Sequence, residues 1–395
     1  MAEALNYDYF DNRVYNTNPV VLDFQEQKHL NYKDRVNLGS YYTKPELVKV
    51  VYDLLQKNIS NFKEHTIIDT SCGYGSFLNY NISNKKIGAD IDKIALNNIK
   101  QDITLINHNS LVNINRKDYN LSDTEKIIIV GNPPYNDTTS IIKNSIKQEQ
   151  EINLDIKTRD LGMSFLLSYN KLNADYVCVL HPLSYLIKKT NFNALNDFTK
   201  NYKLIDGLII SSQEFADTST KTFFPILIGL YKKGENMTYN FIENYNFKTI
   251  DNKVFKINNY VSIANFLSKY PNQKYVKENE SVAKFYTMRD INALKRSRTF
   301  IDEMGTNTIL IEENKLAYYC YVDCFKKNTS HIPYYFGNCD VMIDNDKFLK
   351  IKECFKIASA KNNIDLVKFC DFTKSNSYKE KIDGYFKELL GEHYV

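Results

Sequence analysis

From Thr66 to Gly131 the chain repeats one pattern, a short run of apolar and mostly β-branched residues followed by a polar or glycine-bearing turn. The runs are Thr66-Ile67-Ile68-Asp69, Lys86-Ile87-Gly88-Ala89-Asp90, Ile103-Thr104-Leu105-Ile106-Asn107 and Glu125-Lys126-Ile127-Ile128-Ile129-Val130-Gly131. They are too short for helices and lack a polar face, so they read as strands of a parallel sheet buried on both sides. Before them, Leu47-Val48, Val50-Val51 and Leu54-Leu55 recur at helical spacing. Thr43 is placed to cap that helix, with Pro45 in its first turn and Glu46 closing a capping box. A second helix is expected after the Gly73-Tyr74-Gly75 turn, and a third over Leu161 to Leu172. Strands are expected at Ala174 to Pro182, Leu204 to Ser211 and Thr222 to Tyr231, the closing pair as an antiparallel edge.

The pattern predicts an α/β domain, a Rossmann-like seven-stranded mixed sheet spanning residues 38–235. Residues 1–37, rich in Tyr, Asn and Asp without periodicity, are expected to form an irregular arm. The polar stretch from Asn136 to about Asp160 suits a loop or helix over a site, or a solvated insertion. Lys232 to Asn236 reads as a linker. Beyond it, residues 236–395 lose the α/β rhythm and suggest a separate α+β domain. There, Lys284-Phe285-Tyr286, Arg289 and Lys295-Arg296-Ser297-Arg298 interleave cations with rings, and Tyr318-Tyr319-Cys320-Tyr321 and Tyr334-Tyr335-Phe336 add more rings. Such mixtures serve phosphate contact and base stacking, or else a solvated face over core tyrosines.

In open α/β sheets ligands gather at the carboxyl ends of the strands, and each of the four early runs brings chemistry there. Asp69-Thr70 leads into Gly73 and Gly75, which let the backbone approach a ligand. Asp90, followed by Ile91, is an acid able to accept ribose hydroxyls. Asn109-Ser110 is a polar pair suited to an adenine amino group. The fourth run delivers Asn132-Pro133-Pro134-Tyr135. Prolines have no N–H and a fixed φ, so the Asn132 and Pro133 carbonyls stand as acceptors beside the Asn132 side-chain oxygen, with the Tyr135 ring at the same mouth. A planar molecule bearing an amino group fits such a loop, while a plain Pro-Pro turn is the bland reading.

Charge and cysteine content narrow the classes. The net charge is only +4, and all of the excess lies after Asn236, a weak pointer to phosphate on that side. The seven cysteines include no C-x-x-C pair, so buried thiols are expected and no metal site. With no signal peptide and no membrane-length apolar run, a cytoplasmic location without membrane contact is expected.

With those residues in place, the stretch from Gly39 to Lys233 resembles the amino-methyltransferases that use S-adenosylmethionine. It is most similar to N6-adenine DNA methyltransferases of the gamma arrangement, in which cofactor motifs precede N-P-P-Y and a target recognition domain ends the chain. The resemblance implies a site-specific transfer to a flipped adenine in double-stranded DNA, in a restriction-modification or epigenetic setting, with a cognate restriction endonuclease as a possible partner. It places Asn132, Pro133, Pro134 and Tyr135 at the catalytic loop. Tyr42 and Thr43 would lie on the cofactor, as would Asp69, Thr70, Cys72, Gly73, Gly75, Asp90, Ile91, Asn109 and Asn132. Tyr135 and one of Phe223 and Phe224 would stack on the target base. Two departures stand out: Asn109 where the family usually has Asp, and Lys44 between Thr43 and Pro45. The alternatives are a methyltransferase acting on rRNA, tRNA or a protein glutamine, and a non-catalytic nucleic-acid-binding subunit.

Overall fold

The computed structural model describes residues 43–99, 102–135, 151–215, 223–271, 273–274, 276–374 and 376–395. The N-terminal arm, Tyr42 and residues 136–150 of the polar stretch lie outside the described residues. Two compact units are formed. One holds the described residues to 215 with 226–241 and 247–254, and the other holds 223–225, 242–246 and the described residues from 255 on.

The first unit is built on a seven-stranded mixed sheet of order β3-β2-β1-β4-β5-β7-β6. Its strands are β1 (Thr66–Asp69), β2 (Lys86–Asp90), β3 (Thr104–Asn107), β4 (Ile127–Gly131), β5 (Tyr176–Pro182), β6 (Tyr202–Ser211) and β7 (Pro225–Lys233). The first five run parallel, and β7 lies antiparallel to β5. The central strands carry the core: every residue of β1 and β4 is buried, as the unbroken β-branched runs require. Register aligns Ile68 with Ile129 and Asp69 with Gly88. The chain steps outward from β1 to β3 and returns to β4, so the crevice between the carboxyl ends of β1 and β4 is the sheet's switch point, where such sheets hold ligands.

The helix α1 (Pro45–Asn58) packs against β5 and β6 and buries its apolar face from Leu47 to Leu55. Its N-cap is Lys44, with no side-chain cap bond, so the expected Thr43 capping box does not form. The Thr43 hydroxyl is engaged with Asn132 instead. Nor does a regular helix follow Gly75. Residues 70–80 form successive turns, and after Gly75 only Phe77 and Leu78 are buried before the polar Asn79-Tyr80-Asn81 begins. The short α2 (Lys93–Asn97) follows β2 and is capped by Asp92, and α3 (Leu161–Leu172) is capped by Asp160.

The second unit combines α4 (Ile291–Arg296), α5 (Leu316–Lys327), α6 (Asn345–Ala360) and α7 (Tyr378–Leu390) with short antiparallel ladders. Tyr321 of α5 sits among the rings of Phe325, Phe348, Phe355, Tyr385 and Phe386. Phe285, Tyr319, Tyr321, Tyr335 and Phe336 are buried, so most of the rings read as base-stacking surface are core. Tyr286 is half-buried, with the Arg298 guanidinium 5.9 Å from its ring centre. The buried Asp323 carboxylate is fully engaged, accepting from Thr299 at 2.7 Å, Ser359 at 2.9 Å and Lys327 at 2.8 Å. No disulfide is formed; Cys339 and Cys370 are half-buried rather than buried as expected, and the other five thiols are buried. Among the described residues no helix is long and apolar enough to cross a membrane.

Candidate active site

Because β1, β2, β3 and β4 are parallel, the groups that end them meet on one edge of the sheet. Asp69 closes β1 and is 2% exposed, and its Oδ1 accepts from the Ser71 amide at 3.1 Å. Burial, with the neighbouring Asp90 charge adding to it, pushes the Asp69 carboxyl up to about 8, and the Ser71 bond only partly opposes this. Asp90 closes β2. Its two oxygens accept from the Gly73 amide at 2.8 Å and the Asp92 amide at 2.8 Å, so one carboxylate ties the glycine loop to the following strand end. Burial raises the Asp90 carboxyl, against the lowering effect of those amides.

The loop between β1 and β2 is held from both sides. The Cys72 amide donates to Ala89 at 3.0 Å, and the buried Cys72 thiol is pushed up in pKa by desolvation. Gly73 and Gly75 have φ of 48° and 78°, left-handed values that an L side chain adopts only with strain. From the other side, Ser110 donates to the Thr70 carbonyl at 2.7 Å and Tyr119 donates to Ser110 at 2.8 Å, which fastens the loop after β3 to the end of β1. Thr70 is itself buried. Asn109 Oδ1 accepts from the Leu111 amide at 3.1 Å, and its Nδ2 donates to the Glu151 carbonyl at 2.9 Å. Ile91 and Ile94, at 52% and 56% exposed, present apolar surface beside Asp90.

At the end of β4, Asn132 Nδ2 donates to Thr43 Oγ1 at 3.2 Å, joining residues 89 apart in sequence. The Oδ1 of the same amide is buried. Gly131 lets the end of β4 pass close to Asp69. It has φ 152°, and a Cβ there would stand 2.9 Å from Asp69 Oδ1. Sequence reasoning did not single out Gly131; its signal was a glycine closing an otherwise β-branched strand next to the two prolines. Gly131→Ala is expected to destabilise the protein by about 1–3 kcal/mol, by the cost of an overpacked core. A fall in the urea midpoint with an unchanged m value would show it, and an unshifted midpoint would contradict it.

Tyr135 rests on the start of α3: a Cβ at Gly162 would lie 3.2 Å from Tyr135 Cβ and 2.5 Å from the Tyr185 hydroxyl. Tyr185 donates to Asp160 Oδ1, which also accepts from the Gly162 amide at 3.0 Å. His181, fully buried on β5, stacks on Tyr185 with ring centres 5.3 Å apart, and burial lowers its pKa to about 4, so it is neutral. Neither Asp160 nor Tyr185 was anticipated, since their role depends on a contact across 25 residues. Phe223 and Phe224 belong to the second unit, where Asn292 Nδ2 donates to the Phe223 carbonyl at 2.8 Å.

The arrangement defines the class first: a doubly wound α/β domain with two carboxylates and a glycine loop at its switch point, and an acceptor-rich loop beside them. Residues 28–297 match the family described as N-6 DNA Methylase, and the chain belongs to that family. S-adenosylmethionine is the cofactor of this family. Similar solved structures include a Listeria monocytogenes protein proposed to be a class I S-adenosylmethionine-dependent methyltransferase, at 17% identity and TM-score 0.38, covering 53% of this chain and 64% of that one. Another is the methyltransferase subunit of a type I restriction-modification system from Streptococcus thermophilus, at 11% identity and TM-score 0.35, covering 78% of this chain and 57% of that one. A third is the N-methyltransferase NodS from Bradyrhizobium japonicum in complex with S-adenosyl-L-homocysteine, at 11% identity and TM-score 0.29, covering 49% of this chain and 89% of that one. The chain thus spans less than two thirds of the Listeria and Streptococcus proteins.

The residues at the strand ends fit that cofactor. The Ser71 hydroxyl in the glycine loop is buried without a partner among the described residues, as a ligand-facing donor would be. Asp69 and Asp90 close adjacent strands at this edge, and Ile91 leaves apolar surface exposed beside them, a donor set of the kind that a molecule with a cationic group, hydroxyls and a flat ring requires.

Proposed function

We propose that this chain is a DNA adenine methyltransferase, placing a methyl group on the exocyclic amine of an adenine turned out of the duplex. The observation that carries the reading is the meeting of Thr43 and Asn132 beside Asp69 at the switch point, which orients the acceptor loop toward the cofactor edge. Asp69, Thr70, Cys72, Gly73 and Gly75 would hold the methionine end, Asp90 the ribose, and Ile91 one face of the adenine. Bound there, S-adenosylmethionine supplies an electrophilic methyl carbon.

The chain's own work is on the acceptor. An adenine amine is a poor nucleophile because its lone pair is delocalised into the ring. Asn132 Oδ1 and the Pro133 carbonyl accept its two hydrogens and draw the nitrogen toward tetrahedral geometry, localising the lone pair. Pro134 lacks an N–H, so no local donor competes for those acceptors. The alkylated amine is acidic and sheds a proton without a dedicated strong base. Extrusion of the base costs a few kcal/mol, and stacking on Tyr135 returns about 1–3 kcal/mol. The second unit is assigned to target recognition, supported by the excess of positive charge in that part of the sequence.

The test is transfer of tritiated methyl from S-adenosylmethionine to unmethylated duplex DNA, tRNA, rRNA and protein offered in parallel. Label in DNA is expected, and label confined to RNA or protein would overturn the assignment.

A further inference from the structure

We propose that Asn109 is a positioning residue that fastens residues 151–160 as a strap across the end of β3, and that the strap in turn holds Tyr135 in place for the target base. The inference rests on the functional reading above for the role of Tyr135, but the strap itself is a matter of contacts.

Asn109 is bonded to the protein at both ends of its amide, accepting from Leu111 and donating to the Glu151 carbonyl 42 residues on. A second bond runs alongside, from the Asn153 amide to the Leu111 carbonyl at 2.9 Å. Ile156 then anchors the strap in the core at 2% exposure, and Asp155 pairs with Lys171 of α3. Further along, the Thr158 amide donates to Ser164 Oγ at 3.1 Å and its hydroxyl to the Asp160 carbonyl at 2.7 Å. The strap therefore ends at Asp160, the residue that caps α3, receives the Tyr185 hydroxyl, and lies two positions before the glycine against which Tyr135 packs.

This gives a physical reason for an amide where the family usually has an acid. An aspartate has no N–H for the Glu151 carbonyl and would set one acceptor against another. The side chain that the resemblance assigns to the adenine of the cofactor is here spent on the chain's own loop, coupling the cofactor edge to the acceptor edge.

The test compares wild type with Asn109→Asp and with Asn153→Pro, which deletes the second strap bond without altering β3. Thermal melting confirms that each variant is folded. Loss of one such bond is expected to speed trypsin cleavage after Lys157 and amide exchange across 151–158 about tenfold. A fall of similar size in kcat for DNA methylation is expected, and in Asn153→Pro, which leaves the Asn109 side chain intact, the affinity for S-adenosyl-L-homocysteine, measured by calorimetry, is expected to be unchanged. Unchanged exchange in the variants would overturn the proposal. So would kcat that stays at the wild-type level, or a shifted S-adenosyl-L-homocysteine affinity with kcat intact. Asn132→Ala is assayed beside them: wild-type transfer by that variant would defeat the functional reading, whereas the exchange result still decides whether the strap exists.

Discussion

Asn132→Ala is expected to lower kcat for methyl transfer by about 10²–10³-fold, the size seen when one preorganised hydrogen-bonding group is removed from a transition state. The fall should be larger in kcat than in cofactor affinity, because in the proposed reaction the amide acts on the amine as it changes geometry. Thr43→Val provides the graded companion. It leaves Asn132 in place but removes the oxygen that its Nδ2 donates to at 3.2 Å, so a loss of about tenfold is expected, one ordinary hydrogen bond's worth. Single-turnover transfer to duplex DNA with saturating cofactor reads both. Equal rates for Asn132→Ala and wild type would remove the acceptor loop from the chemistry.

The second large effect concerns Asp69. Its carboxyl is held near 8 by burial, so at neutral pH the free protein keeps it mostly protonated. The unfolded chain would ionise it near the ordinary value of 3.8. The native state therefore holds a proton that the unfolded state lacks between those limits, and stability from this group is present below pH 4 and lost as pH rises toward 8. A cation bound beside Asp69 favours the ionised form, so cofactor binding should release a proton. Affinity should then climb by up to about tenfold per pH unit from pH 6 to 7.5 and level off above the carboxyl's pKa. Asp69→Asn should bind more weakly with a flat profile, and should lose less stability than wild type over the same rise in pH. Calorimetry in two buffers of different ionisation heat counts the proton directly. A flat wild-type profile with no proton released would take Asp69 away from the cofactor's charge.

The strands that end at Asp69, Asp90 and Gly131 were legible because a β-branched run buried on both faces leaves little choice of structure, and parallel packing then fixes where the ends go. Thr43 is assigned to the cofactor by the resemblance alone, and its local role was not legible. A threonine two residues before a helical proline reads as a cap from sequence alone, and only the long-range partner Asn132 shows why the hydroxyl is used elsewhere. The turns after Gly75 were misread as a helix for a related reason: glycine loops in such folds commonly open helices, but here the polar Asn79 to Asn84 stretch offers no apolar face to bury. In the second unit the interleaved rings gave no pattern to separate core from surface, and burial of Tyr319, Tyr321 and Tyr335 decided it. Gly131, Asp160, Tyr185 and Gly162 act through contacts between distant segments, which periodicity does not encode.

The most direct test of the central claim is nucleoside mass spectrometry of unmethylated duplex DNA after incubation with the protein and isotopically labelled S-adenosylmethionine. The account predicts labelled N6-methyladenine that is formed by wild type and lost in Asn132→Ala. Label on cytosine, or DNA left unlabelled while RNA or protein is methylated, would contradict it.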